Sequence, residues 1–197
     1  MTSPTVDALL DAATVEFASA GIETGSLRKI MREAGADPGA VHYHFGGREA
    51  LAAAVLDRIL VPLNARRLDL LGAASTHGQP TLAHLVDALI RPDVETAHAL
   101  HAQSPGRARL IGAIYARPSD FVAATVATHF APVADAFRPH FEAALPHLAF
   151  GDITWRVRWC VFGTVGALLT DDEAPFQRPA HDLTDELVRT LTAAVGA

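Results

Sequence analysis

Apolar residues recur along this chain at helical intervals almost from end to end. Val6, Leu9, Leu10, Ala13 and Phe17 fall on one face of a helix over residues 4–20, with Asp7, Asp11 and Glu16 mostly off that face and Gly21 closing it. Leu27, Ile30, Met31 and Ala34 stripe a second helix that Ser26 can cap and Gly35 ends, while Arg28, Lys29 and Arg32 face away. Asp37 and Pro38 predict the cap and first position of a third, short helix running to Phe45. That helix offers only Val41 and Phe45 as large apolar residues, so most of its surface must face solvent. Gly46-Gly47 breaks it. Residues 48–74 then resume on Leu51, Val55 and Ile59, with a break predicted near Pro62.

The remainder reads the same way. A polar loop covers 72–80. A helix from Thr81 carries Leu82, Leu85, Val86, Leu89 and Ile90 and is predicted to end before Pro92, with a short helical piece over 93–102. Ser104-Pro105-Gly106 restarts the chain, and Ala108, Leu110, Ile111, Ile114 and Tyr115 form the next stripe up to Pro118-Ser119. Residues 121–145 are helical in pattern, with Pro132 and Pro139 expected to kink or divide them. Residues 152–170 are the most apolar: Trp155, Trp159 and Phe162 mark one face, and Gly163, Gly166 and Ala167 a close-packing patch. An acidic loop spans 171–175, and Leu183, Leu187, Leu191 and Val195 define a last amphipathic helix. Strand signals and internal repeats are lacking, so the fold class is all-α.

Composition narrows the chemistry. Half of the 197 residues are hydrophobic, enough for a sizeable core and some apolar surface for a partner or ligand. The formal net charge of −6 argues against a general nucleic-acid coat protein. Within residues 1–60, five Arg and Lys face eight Asp and Glu, so any DNA contact there depends on charge placement rather than overall charge. The single cysteine, Cys160, sits in an apolar stretch and reads as a small buried hydrophobe. The N-terminus lacks the pattern of a signal peptide and no apolar stretch is long enough to span a membrane, so a cytoplasmic location is expected.

The enzymatic patterns Gly-x-Ser-x-Gly, the P-loop and Gly-x-Gly-x-x-Gly do not occur. His98 and His101, three apart on one helix, could share a metal, but zinc needs three or four ligands and spacing indicates no third. His42 and His44 are two apart and point to different sides of a helix. Neither an enzyme nor a cofactor is expected.

A short helix, a turn containing Gly35 and a second short exposed helix make a helix-turn-helix pattern. The run from Leu10 through Phe17, Gly21, Ser26-Leu27-Arg28-Lys29-Ile30, Ala34-Gly35 and Gly39-Ala40-Val41-His42-Tyr43-His44-Phe45 to Arg48-Glu49-Ala50-Leu51 resembles the N-terminal domain of the tetracycline-repressor (TetR) family. The resemblance implies a helix-turn-helix DNA-binding domain over 1–48 and a larger helical effector-binding and dimerisation domain over 49–197. It implies that Pro38, Gly39, Ala40 and His42 approach base edges, that Tyr43, His44 and Arg48 hold phosphates, and that Arg28 is a further phosphate contact. Two departures stand out: Gly25 where Thr or Ser is common, and Met31 where a small Ala is common.

The family resemblance also implies a homodimer built on the last two long helices, acting as a repressor on double-stranded operator DNA. Aromatic and aliphatic surplus on neighbouring helices predicts a small apolar ligand among Ile111, Tyr115, Phe130, Trp159 and Phe162. The stretches Pro62–Leu68, Arg91-Pro92, His129–Val133 and Ala144–Leu148 with Trp155-Arg156 resemble the C-terminal domain of fatty-acid-responsive TetR-type regulators, which implies a lipophilic, fatty acyl effector.

Overall fold

A computed structural model describes residues 4–76, 78–104, 107–116, 119–168 and 174–196. Among them the chain forms ten helices and no strand: α1 Pro4–Ala20, α2 Leu27–Glu33, α3 Ala40–Phe45, α4 Arg48–Ser75, α5 Leu82–Gln103, α6 Arg109–Ala116, α7 Asp120–Ala144, α8 Phe150–Leu168, α9 Ala174–Gln177 and α10 Ala180–Gly196. The predicted stop at Pro118, the restart at Pro105-Gly106 and most of the acidic loop, residues 171–173, lie outside the described residues.

The apolar stripes read from the sequence are the faces that pack. Leu9, Leu10, Ala13 and Phe17 of α1, Ile30 of α2 and Val41 of α3 close on Leu51, Val55, Leu56 and Leu60 of α4. This cluster is not walled off: it continues into Val94 of α5 and Leu110, Ile111 and Ile114 of α6. A second cluster, farther along the chain, joins Leu85, Leu89 and Ile90 of α5 to Val133, Phe137 and Phe141 of α7, Ile153 and Cys160 of α8, and Leu191 and Val195 of α10. Arg91 ties α5 to α10, gripping Asp87 on its own helix at 2.6 Å and reaching Asp185 at 3.5 Å.

Two breaks predicted at proline are corrected: Pro62 lies inside an unbroken α4 and Pro92 inside an unbroken α5. Pro132 and Pro139 lie inside α7 without dividing it. An internal proline deletes one ladder hydrogen bond and its ring pushes the preceding turn open, leaving carbonyls short of donors. Two side chains of α4 supply donors at such turns. The Arg67 guanidinium donates from Nε to the Leu89 carbonyl at 2.8 Å, and Asn64 Nδ2 donates to the His129 carbonyl at 2.9 Å. Those carbonyls lie three residues before Pro92 and Pro132 respectively. Side chains on a neighbouring helix thus offset what single-helix reasoning counts as a break.

Candidate nucleic-acid interface and apolar cavity

The turn between α2 and α3 is set by Gly35. Its amide donates to the Arg32 carbonyl and that of Ala36 to the Met31 carbonyl, closing α2 in a Schellman arrangement. That arrangement needs a residue in the left-handed region, and Gly35 takes φ +61°. Ser26 caps the other end of α2, accepting from the Lys29 amide. The cap predicted at Asp37 is corrected: α3 starts at Ala40 behind a turn in which the Ala40 amide donates to the Asp37 carbonyl, and Gly39 holds the cap position without a side-chain bond.

Helix α3 divides into an anchored and an open face. Val41 is buried, and so is Ala40, 8% exposed, against the expectation that it meets base edges. Its methyl belongs to the first core cluster, which fixes the helix on α4. Pro38, Gly39, His42 and His44 are exposed, and Tyr43 is 85% exposed with its ring edge-on to His44 at 4.9 Å. Arg48, half-buried at the start of α4, donates to the Ile22 carbonyl at 3.2 Å and so ties α4 to the α1–α2 loop.

The three cations of α2 are not equivalent. Lys29 is held at 2.6 Å by Glu16 of α1, and Arg32 pairs with Glu33 at 3.0 Å. Arg28 is exposed and forms no ion pair with any described residue. Glu16 also accepts from the Ser26 amide at 2.8 Å, so one carboxylate joins α1 to the start of α2. The hydrogen bond from Lys29 and that from Ser26 hold the Glu16 carboxyl below its ordinary value of 4.5. Gly25 stands against this joint: a Cβ there would lie 2.9 Å from the Phe17 ring and 3.0 Å from the Gly21 carbonyl. The family's common Thr or Ser has no room at this position.

Between α7 and α8 lies a cavity of about 600 Å³. Of the five residues expected around a ligand, Tyr115, Phe130 and Phe162 line it. Two predicted members do not. Ile111 is fully buried in the first cluster and does not reach the cavity, and Ile114, three positions on in the same cluster, stands in the wall instead. Trp159 lies on the outer side of α8, 48% exposed, beside Trp155 at 66%. Sequence reasoning also missed two cations in the wall, Arg138 and Arg158.

Behind the cavity wall sits a wholly buried ion pair that the sequence reading did not single out. Arg67 and Asp93 are both 0% exposed, with Nη2 to Oδ2 at 2.5 Å, and Asn64 Oδ1 accepts from Arg67 Nη1 at 2.7 Å. Arg67 lies 5.4 Å from the centre of the Phe130 ring. Burial pushes the Asp93 carboxyl above its usual range against the pull of Arg67. Burial and then Asp93 push the Tyr115 hydroxyl up, and the nearby Arg67 charge pulls it back. A signal was present: Arg67 lies four residues from both Leu63 and Leu71, and Asp93 four from Leu89 and Ala97, so each charge holds a core position.

Cys160 is buried as predicted, and burial raises its thiol to about 12. His98 and His101 flank Phe176 of α9, His101 stacking on its ring at 4.2 Å. Among the described residues no group of three or more His, Cys, Asp or Glu could hold a metal, and no helix is long and apolar enough to cross a membrane.

An all-helical chain with a helix-turn-helix at one end and an apolar cavity among its later helices has the build of a ligand-responsive DNA-binding regulator. Residues 9–55 match the family model "Bacterial regulatory proteins, tetR family", and residues 87–197 match "Tetracyclin repressor-like, C-terminal domain". The chain belongs to the TetR family of transcriptional regulators. Solved structures agree on the fold. The fatty acid degradation regulator FadR from Bacillus halodurans is similar with a TM-score of 0.72 at 11% identity, over 98% of this chain and 96% of that one. FadR from Bacillus subtilis, solved in complex with stearoyl-CoA, gives 0.68 at 14%, over 97% and 98%. GusR from Salmonella enterica gives 0.62 at 22%, over 98% and 96%. No curated protein sequence matches the chain.

Proposed function

We propose that the chain is a homodimeric, non-enzymatic repressor that binds double-stranded operator DNA and is released from it by a small lipophilic, fatty acyl effector, in the cytoplasm. The observation that carries this reading is the division of α3. One face is locked into the core through Ala40 and Val41, while Pro38, Gly39, His42, Tyr43 and His44 stand out into solvent. In this reading Pro38, Gly39 and His42 meet base edges, and Tyr43, His44 and Arg28 meet phosphates. Arg48 contributes by fixing the start of α4. The reading head is assigned to 1–48 and the effector and dimer region to 49–197.

One short helix reads only a few base pairs, so two heads one helical turn of DNA apart are needed for a specific site. The exposed Trp155 and Trp159 of α8 give the second copy an apolar face to cover. Effector action follows from α6, which packs on α1 on one side and presents Tyr115 and Ile114 to the cavity on the other. A ligand that shifts α6 shifts the head, and the coupling is reciprocal. The stearoyl-CoA held by the Bacillus subtilis relative supports the effector class.

The test is binding of the purified protein to its own upstream DNA at varied salt. Affinity should fall steeply with salt. Tyr43→Ala should cost about tenfold or more in affinity while leaving the melting temperature in place, because the side chain is 85% exposed. Binding no better than to random DNA, or an unaffected Tyr43→Ala, refutes the assignment of α3.

A further inference from the structure

We propose that the effector is an anionic amphiphile, a long chain laid along α7 with its charged head held by Arg158. The inference rests on the cavity being the effector site. Its first support is shape. The wall positions on α7 run from Ala123 to Phe141, which at 1.5 Å per residue is about 27 Å of helix. On α8 the wall takes positions from Phe150 to Phe162, about 18 Å. The result is a slot, longer than a compact ring system would fill, and its surface is overwhelmingly apolar.

The second support is charge. Among the described residues the wall holds two arginines and no carboxylate, in a chain whose net charge is −6. The two arginines differ. Arg138 is engaged, paired with Asp135 at 2.9 Å and lying 4.8 Å from the centre of the Phe150 ring. Arg158 is exposed and has no ion-pair or hydrogen-bond partner among the described residues. A cation in an apolar wall with no carboxylate opposite it lowers the energy of an anion there, and a guanidinium matches carboxylate and phosphate oxygens equally well. Thr154, one turn earlier in the same wall, spends its hydroxyl on the Phe150 carbonyl, so Arg158 is the group left to read the head.

The test is calorimetric titration of the whole protein with octadecanoate, octadecanoyl-CoA, octadecanol and methyl octadecanoate, all below their aggregation limits. Both anionic ligands, or one of them, should bind about tenfold tighter than the alcohol or ester. Arg158→Gln should abolish that preference and leave alcohol binding unchanged. Binding of the free acid alone assigns a carboxylate head, and of the thioester alone a phosphate-bearing one. Equal affinity of both anionic ligands and the alcohol in the unmodified protein, or a preference that survives Arg158→Gln, overturns the proposal. Ala134→Trp, which fills the slot, separates this from the underlying reading: if it abolishes chain binding, the cavity stands even where the head-group preference fails. If no chain ligand binds the unmodified protein at all, cavity and head-group assignments fall together. Circular dichroism confirms that both variants remain folded.

Discussion

Arg67→Met should destabilise the protein by about 3–5 kcal/mol at neutral pH, the range for stranding one partner of a buried ion pair. The structure gives a route to that figure. Asp93 Oδ2 has Arg67 as its partner, and Oδ1 is buried without any hydrogen bond. Without the guanidinium, the carboxylate can stay buried only by taking a proton. Holding a carboxyl of ordinary value 3.8 protonated at pH 7 costs about 4 kcal/mol, at about 1.4 kcal/mol per unit. The same arithmetic at pH 5 gives about 1.7 kcal/mol, so the deficit of Arg67→Met against the unmodified protein should fall by more than half between the two. The assay is urea unfolding followed by circular dichroism at both pH values, at one fixed protomer concentration because oligomerisation shifts apparent stability. The double variant Arg67→Met with Asp93→Leu removes both charges and should recover more than half of the loss. A deficit equal at pH 5 and pH 7, or a double variant as unstable as the sum of the singles, would refute the account of Asp93 as a stranded carboxylate.

Gly25→Ala should lower stability by about 1–3 kcal/mol through overpacking against Phe17 and the Gly21 carbonyl, and an unchanged melting temperature would show that the site has room. Glu16 titrates below its ordinary value because Lys29 and the Ser26 amide favour its charged form, so its contribution is present above pH 4.5 and is lost as pH falls through the lowered value. Glu16→Gln should therefore remove part of the acid sensitivity of the protein. Urea midpoints that fall equally for both proteins between about pH 5 and pH 3 would count against the Glu16 joint.

Helix positions were legible from apolar spacing because each helix buries one stripe, and a stripe repeats in sequence whatever it packs against. The stripes of α1, α2 and α10 and the cap at Ser26 are of this kind. The prolines were not legible for the converse reason. Whether Pro92 ends a helix depends on what lies across from it, and the donors Asn64 and Arg67 are separated from the carbonyls they serve by 65 and 22 positions. Asp37 failed similarly: its fitness as a cap is local, but α3 is placed by the burial of Ala40 and Val41, which starts the helix after Gly39.

The candidate site divides along the same line. Which face of α3 is open could be read from its shortage of apolar residues, but not that Ala40 belongs to the closed face. Three cations on α2 looked alike in sequence; Glu16 on another helix takes Lys29, Glu33 takes Arg32, and Arg28 is left. In the cavity, aromatic surplus pointed to helices that line it, yet the rotation of α6 and α8 decides membership. Ile114 and Phe162 line the wall, whereas Ile111 and Trp159, each three positions earlier on the same helix, do not. The charges at core positions, Arg67 and Asp93, were the signal left unread. They place a polar junction behind Phe130 and Tyr115, where the cavity wall meets α4 and α5. A junction of that kind has few alternative arrangements, because every shift leaves a charge unpaired at a cost of several kcal/mol. That stiffness would let a ligand pressing on Tyr115 move α6 as a unit instead of being absorbed by the wall behind it.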